Sequence, residues 1–188
     1  MLSTVFQVSK SVLDVFGIVS FASSLLEDEE DEEDEIDYEE AEEEVDKIVT
    51  EKIYLAKSFV SLCSHCCDID SSSETEKHLL ADELIQSLIE NRTLFPESVT
   101  VGNLYFELEH DVIYEELINT SNYPLPLKAI IKVAKDDDTL AVSFYEVACS
   151  IMTNKGFITA EEIEFLDELA ELFAIFSLDK KKIERKYF

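Results

Sequence analysis

The chain has 188 residues, a net charge of −28 and 46% apolar side chains, with only three glycines and three prolines. That length and apolar share supply one ordinary core, while so few turn formers exclude an all-β fold, which bends often and uses Gly and Pro freely. The acidic surplus repels a phosphate backbone, which argues against nucleic-acid binding and favours cations or basic partners.

Residues 2–26 are rich in apolar side chains and are predicted to form a helix, with Lys10 and Asp14 one turn apart. Its longest clean apolar stretch, residues 15–26, is 12 long, against roughly 20 for a bilayer span. The helix is therefore expected to dock on the chain's own core, on a membrane surface or on a partner. Residues 27–46 hold 16 of the 43 acidic side chains and no Lys or Arg; outside them 27 acidic face 15 basic. Like charges at this density repel and bury nothing, so residues 27–44 are read as a flexible acidic linker that turns helical towards its end. Residues 45–188 are left for the main domain.

Helical periodicity starts near Ala41: Ala41, Val45, Ile48, Leu55, Phe59, Leu62 and Cys66 fall on one face. The next helix starts near Ser73, where Ser73 and Glu76 form a capping-box pattern, and carries Leu79, Leu80, Leu84 and Leu88 to about Asn91. After Pro96 a helix is predicted over 98–119, from Leu104, Leu108 and Val112 at four-residue spacing. A connection at Tyr123–Pro126 leads to a short helix over 127–135, and two more follow over 139–153 and 159–176. The last turns carry Lys180, Lys181, Lys182, Arg185 and Lys186.

Residues 56–88 align with 141–173 without a gap. Ala56, Ser58, Phe59, Glu76, Asp82, Glu83 and Leu84 match Ala141, Ser143, Phe144, Glu161, Asp167, Glu168 and Leu169, seven identities in 33 positions. The fold class expected is all-α: a compact helical bundle of two pseudo-repeated helical hairpins, with the N-terminal apolar helix attached through the acidic linker. This packing requires Phe59 and Phe144 to share one core, and it leaves no place for strands in the second half.

The polar turns of the two hairpins carry the candidate chemistry. In the second, Gly156, Ile158, Thr159 and Glu162, followed by Phe165-Leu166, form a glycine turn, a small apolar residue, a hydroxyl cap and an acid opening the next helix. This pattern resembles the tellurite-resistance TerB-like family, with a layout covering roughly residues 45–178. The resemblance implies a compact helical bundle, a non-enzymatic role in stress-response or membrane-linked assemblies, and an acidic cluster that binds divalent cations. The Asp expected before the glycine is Lys155 here, an ammonium where a cation would sit. In the first turn Asp70 holds the aligned position and Ser71 replaces the glycine.

Asp68, Asp70, Glu74 and Glu76 offer hard oxygen ligands within nine residues, the chemistry that Ca²⁺ or Mg²⁺ prefers. They lack the loop and glycine of an EF-hand. The competing reading is a helix start that gathers acids to complement its dipole and cap its free N–H groups. Glu162 has the same two readings, since Thr159 and Glu162 also form a capping box. Cys63, Cys66 and Cys67, with His65, include a C-x-x-C spacing, but a zinc site needs four ligands. The three thiols line up with Phe59 and Leu62, as core residues do. No regular framework pairs these with Cys149, and the N-terminus shows no signal-peptide pattern; both predict a reducing, cytoplasmic setting, peripheral to a membrane if the N-terminal helix docks there. His65, His78 and His110 are scattered and suggest no nucleophile–base pair. The basic tail is expected first to pair with the acidic linker or to complement its own helix C-terminus, with docking on an anionic membrane or a partner as the alternative.

The reading adopted is a non-enzymatic TerB-like interaction module with a protein partner. Two alternatives stand beside it: a divalent-cation sensor or metal-dependent hydrolase built on the first acidic turn, and a structural protein that self-assembles through its N-terminal helix.

Overall fold

The computed structural model describes residues 37–70, 72–135, 137–153 and 155–188. The predicted apolar helix over 2–26 and the linker up to residue 36 lie outside them. The described residues form seven α-helices and one two-stranded antiparallel sheet: α1 (Tyr38–Ile69), α2 (Glu74–Glu90), β1 (Ser98–Val101), β2 (Leu104–Glu107), α3 (His110–Asn122), α4 (Leu127–Ala134), α5 (Asp138–Met152), α6 (Ala160–Leu172) and α7 (Ser177–Tyr187). None of these helices is long and apolar enough to cross a membrane.

Helix α1 begins inside the stretch expected to be linker. Glu39 and Glu40 in its first turn complement the helix dipole, while Ala41 and Val45 are buried against Val99 and Val101 of the sheet. Apolar burial at helical spacing thus orders residues 38–44 despite their charge. From Ala56 to Cys67 the helix becomes buried on nearly every side, as does α5 from Leu140 to Met152. These two apolar segments form the middle of the bundle, and the other helices pack around them.

The two hairpins meet as the repeat requires. The Phe59 and Phe144 rings lie 4.2 Å apart, and Phe144 stacks in turn on Phe173 at 5.8 Å. Ser58 and Ser143, also repeat-equivalent, are both buried and donate to the carbonyls of Tyr54 (2.9 Å) and Thr139 (2.8 Å). Asp70 and Lys155 are a further equivalent pair in contact. Contacts between equivalent positions at two levels along α1 and α5 make the helices run in the same direction around a pseudo-two-fold axis. In the turns the repeat slips by one residue, because the caps are Ser73 and Thr159 rather than Ser73 and Ile158.

The strands correct the expected helix over 98–119 and the expectation of a strand-free second half. The four-residue spacing of Leu104, Leu108 and Val112 is a multiple of two as well as near a helical turn, so it fits either period. Two other signals decide for a strand. Ser98–Val101 is rich in β-branched residues, and Gly102 opens a two-residue turn with φ +56°. The sheet lies between the two hairpins.

A second correction falls after α6, which was expected to continue to residue 176. It stops at Leu172, and Ala174 takes φ +54°. The Ala174 and Ile175 N–H groups then donate to the carbonyls of Glu171 (3.0 Å) and Ala170 (2.9 Å), a Schellman closure. The chain turns there and starts α7.

Candidate functional site

The turns between α1 and α2 and between α5 and α6 lie at the same end of the bundle, because α1 and α5 run in the same direction. There the Lys155 ammonium bridges the Asp70 and Glu162 carboxylates. The side chains are 25%, 15% and 1% exposed, respectively. The Lys155 Nζ also sits 4.8 Å from the Phe157 ring centroid, a cation–π distance. Ser72 donates its hydroxyl to Asp70 Oδ2 at 2.6 Å. The second Glu162 oxygen accepts the Thr159 N–H at 2.7 Å, and the Thr159 hydroxyl accepts the Glu162 N–H at 3.3 Å. Gly156, with φ +80°, makes the bend that carries Lys155 back towards α6.

Burial alone would raise the Glu162 pKa. Its hydrogen-bonded neighbours Asp70, Lys155 and Thr159 outweigh that and bring it down to about 2. Burial likewise works against the Lys155 ammonium, but Asp70 and Glu162 hold its pKa above the ordinary lysine value. The group at the centre of the site is therefore a permanent internal cation.

The first turn is not gathered into the metal site that its sequence offered. Asp68 and Glu74 accept from Lys77 at 2.7 and 3.2 Å, and hydrogen bonds to them raise the Lys77 pKa. Glu76 closes the capping box, accepting the Ser73 hydroxyl at 2.7 Å and the Ser73 N–H at 2.9 Å. The Ser73 hydroxyl lowers its pKa first, and the Ser73 N–H adds to this. Asp70 has moved to the other partnership, with Lys155. Among the described residues no group of three or more His, Cys, Asp or Glu side chains is placed to hold a metal ion. The reason is local: each acid of the two turns already meets a lysine or a helix N-terminus.

Beside the first turn lies a cavity of about 230 Å³ with Cys63, Cys67, Asp68, Lys77 and His78 in its wall. All four cysteines are buried. A hydrogen bond with Cys67, then burial, pushes the Cys63 thiol well up; burial does the same to Cys66 and takes Cys149 to about 12. Cys63, Cys66 and Cys149 are therefore protonated core thiols, without the thiolate that a nucleophile or a metal ligand needs. His65 and His110 donate from Nε2 to the carbonyls of Leu125 (2.8 Å) and Pro96 (3.1 Å), where they fasten connections between elements.

On another surface, three cations make no ion pair among the described residues. On α7, Lys180 pairs with Asp167 and Glu184, and Lys186 pairs with Glu146. Ile183 is buried, and the Tyr145 hydroxyl donates to Glu184 at 3.2 Å, which fastens α7 to α5. Leu178, Lys181, Lys182, Arg185 and Phe188 all point outward, and no ion pair engages the three cations among the described residues. Leu178 is 80% exposed, and Phe176 just before the helix is 68% exposed. The sequence reading grouped the five basic residues as one tail. Their spacing around Ile183 was the signal that separates the fastened lysines from the outward ones. Compared with family models, curated proteins and solved structures, the chain matches none.

Proposed function

We propose that this chain is a non-enzymatic helical docking module, and that the outward face of α7 is where a protein partner binds. The observation that carries this reading is the face itself. On a chain with a net charge of −28, α7 presents three exposed cations that no ion pair engages among the described residues. The helix α4 and its C-cap also do so with Lys128, Lys132 and Lys135, and α7 sets its cations beside exposed Phe176, Leu178 and Phe188. Large apolar groups left in water next to unpaired charges of the minority sign suit a surface that meets another surface. The partner that fits is a protein with acidic groups around an apolar patch.

The TerB-like resemblance is compatible with this role. Its support here is the second turn, where Gly156 takes a left-handed conformation and Thr159 and Glu162 close a capping box. A cation sensor or metal-dependent hydrolase has less support, since an incoming ion would have to displace Lys155 or Lys77 from carboxylates they already neutralise.

The test compares the full chain with a Leu178→Glu, Lys181→Glu, Arg185→Glu variant, each tagged and recovered from its own cell. Proteins that accompany the wild type should be lost with the variant while its circular dichroism and Tm stay unchanged. An identical set of co-purifying proteins with the two forms would overturn the reading.

A further inference from the structure

We propose that the free edge of β2 is a further docking surface, taken by an extended segment of a partner protein in which basic and apolar residues alternate. It is separate from the α7 face and opposite to it in chemistry, so neither depends on the other.

The hydrogen-bond phase of the hairpin leaves this edge open. Across a two-residue turn the flanking pair, Val101 and Leu104, exchanges backbone bonds, and bonded and non-bonded pairs then alternate along the strands. The Leu108 N–H donates to the Glu97 carbonyl at 3.0 Å, which keeps the same phase beyond the last ladder pair. Tyr105 and Glu107 fall on non-bonded pairs, so their N–H and C=O groups point away from β1. No backbone group meets them among the described residues, and both residues are exposed, Tyr105 at 67%. Such a row of unpaired groups is a template for one more strand.

The side chains select the occupant. Leu104 and Phe106, on the inner face of β2, pack against Ala41 and Val45 of α1, and the Phe106 ring lies 5.5 Å from that of Tyr38. Tyr105 and Glu107 form the outer face. In an added antiparallel strand, residues directly opposite each other share a face. The positions opposite Tyr105 and Glu107 are therefore outward, where Lys or Arg meets a carboxylate and an aromatic ring. The residues between them turn inward and extend the apolar cluster of Leu104 and Phe106. Charge asks for the same sign: Glu39, Glu42, Glu107 and Glu109 are exposed and make no ion pair among the described residues. A second copy of the chain is a poorer occupant, because it would bring its own acidic strand and helix against these carboxylates.

The test follows hydrogen exchange of backbone amides in the full chain by NMR, with the synthetic peptide acetyl-Lys-Val-Lys-Val-Lys-Val-Lys-amide as the probe. The Tyr105 and Glu107 amides should exchange fast in the free chain and at least roughly fivefold more slowly with saturating peptide. The same peptide methylated on its lysine backbone nitrogens keeps the charge but cannot pair, and it should protect neither amide. Tyr105→Pro removes one edge donor where an edge strand tolerates proline, and the Glu107 amide should then gain no protection. Glu107→Lys leaves the backbone intact and should weaken binding of the lysine peptide at least roughly fivefold by like-charge repulsion, so a Tyr105→Pro chain that folds poorly leaves a second measurement. Unchanged exchange of the wild-type amides with peptide overturns the proposal. So does equal protection by the methylated peptide, which would mean attraction by charge alone, or undiminished binding to Glu107→Lys. Edge amides already protected in the free chain overturn it too: protection that grows with protein concentration would mean a second copy, and protection that does not would mean an edge covered by the chain itself.

Discussion

Glu162 is almost excluded from water, yet it stays ionised because Lys155 and the Thr159 cap face it. Its pKa in the folded chain is about 2, against about 4.3 for an ordinary glutamate. A depressed carboxylate stabilises the fold above its unfolded pKa and loses that contribution as the pH falls through its folded one. Melting temperature should therefore drop in the wild type between pH 4.3 and about 2. In Glu162→Gln that part of the acid limb should flatten, with a loss of about 1–3 kcal/mol at neutral pH from the unpaired ammonium and weakened cap. Ala174 offers the opposite outcome. A side chain at φ +54° is strained, so Ala174→Gly should stabilise by about 1 kcal/mol. The gain should appear as a rise of roughly 2–4 °C in the thermal midpoint.

At the level of elements, the helices were legible wherever apolar spacing and a cap agreed. The capping boxes of α2 and α6 stand where Ser73-x-x-Glu76 and Thr159-x-x-Glu162 placed them. What failed to show in the sequence failed for physical reasons. The spacing of Leu104 and Leu108 suits two periods, and the end of α6 is held by an alanine where a glycine would have announced it. The site was legible in part: Lys155 was read as an ammonium in a cation's place. Its joint hold on Asp70 and Glu162 became visible only once α1 and α5 were known to be parallel. Since Phe144 touches both Phe59 and Phe173, Phe144→Ala should cost about 3–5 kcal/mol and weaken both hairpins together. Urea unfolding followed by circular dichroism and by tyrosine fluorescence should then shift to one common lower midpoint; separate midpoints would mean that the hairpins are independent.

For the molecule as a whole, charge opposes compactness. The acidic surface repels itself, and added salt shortens the range of that repulsion to about a Debye length. Raising NaCl from about 50 mM to about 500 mM should therefore increase Tm, a change opposite to that expected if surface ion pairs dominated stability. Because Lys155 and Lys77 already neutralise the turn carboxylates, MgCl₂ or CaCl₂ should raise Tm no further than NaCl of equal ionic strength.

Phe59 finds its aromatic partner, and Asp70 its lysine, 85 residues downstream. At a synthesis rate of about 5–20 residues per second, the first hairpin waits roughly 4–17 s for the second to be made. Throughout that interval the nascent chain holds half a core open to water. Folding of the first hairpin is therefore completed by the arrival of α5 rather than by the formation of α1 and α2.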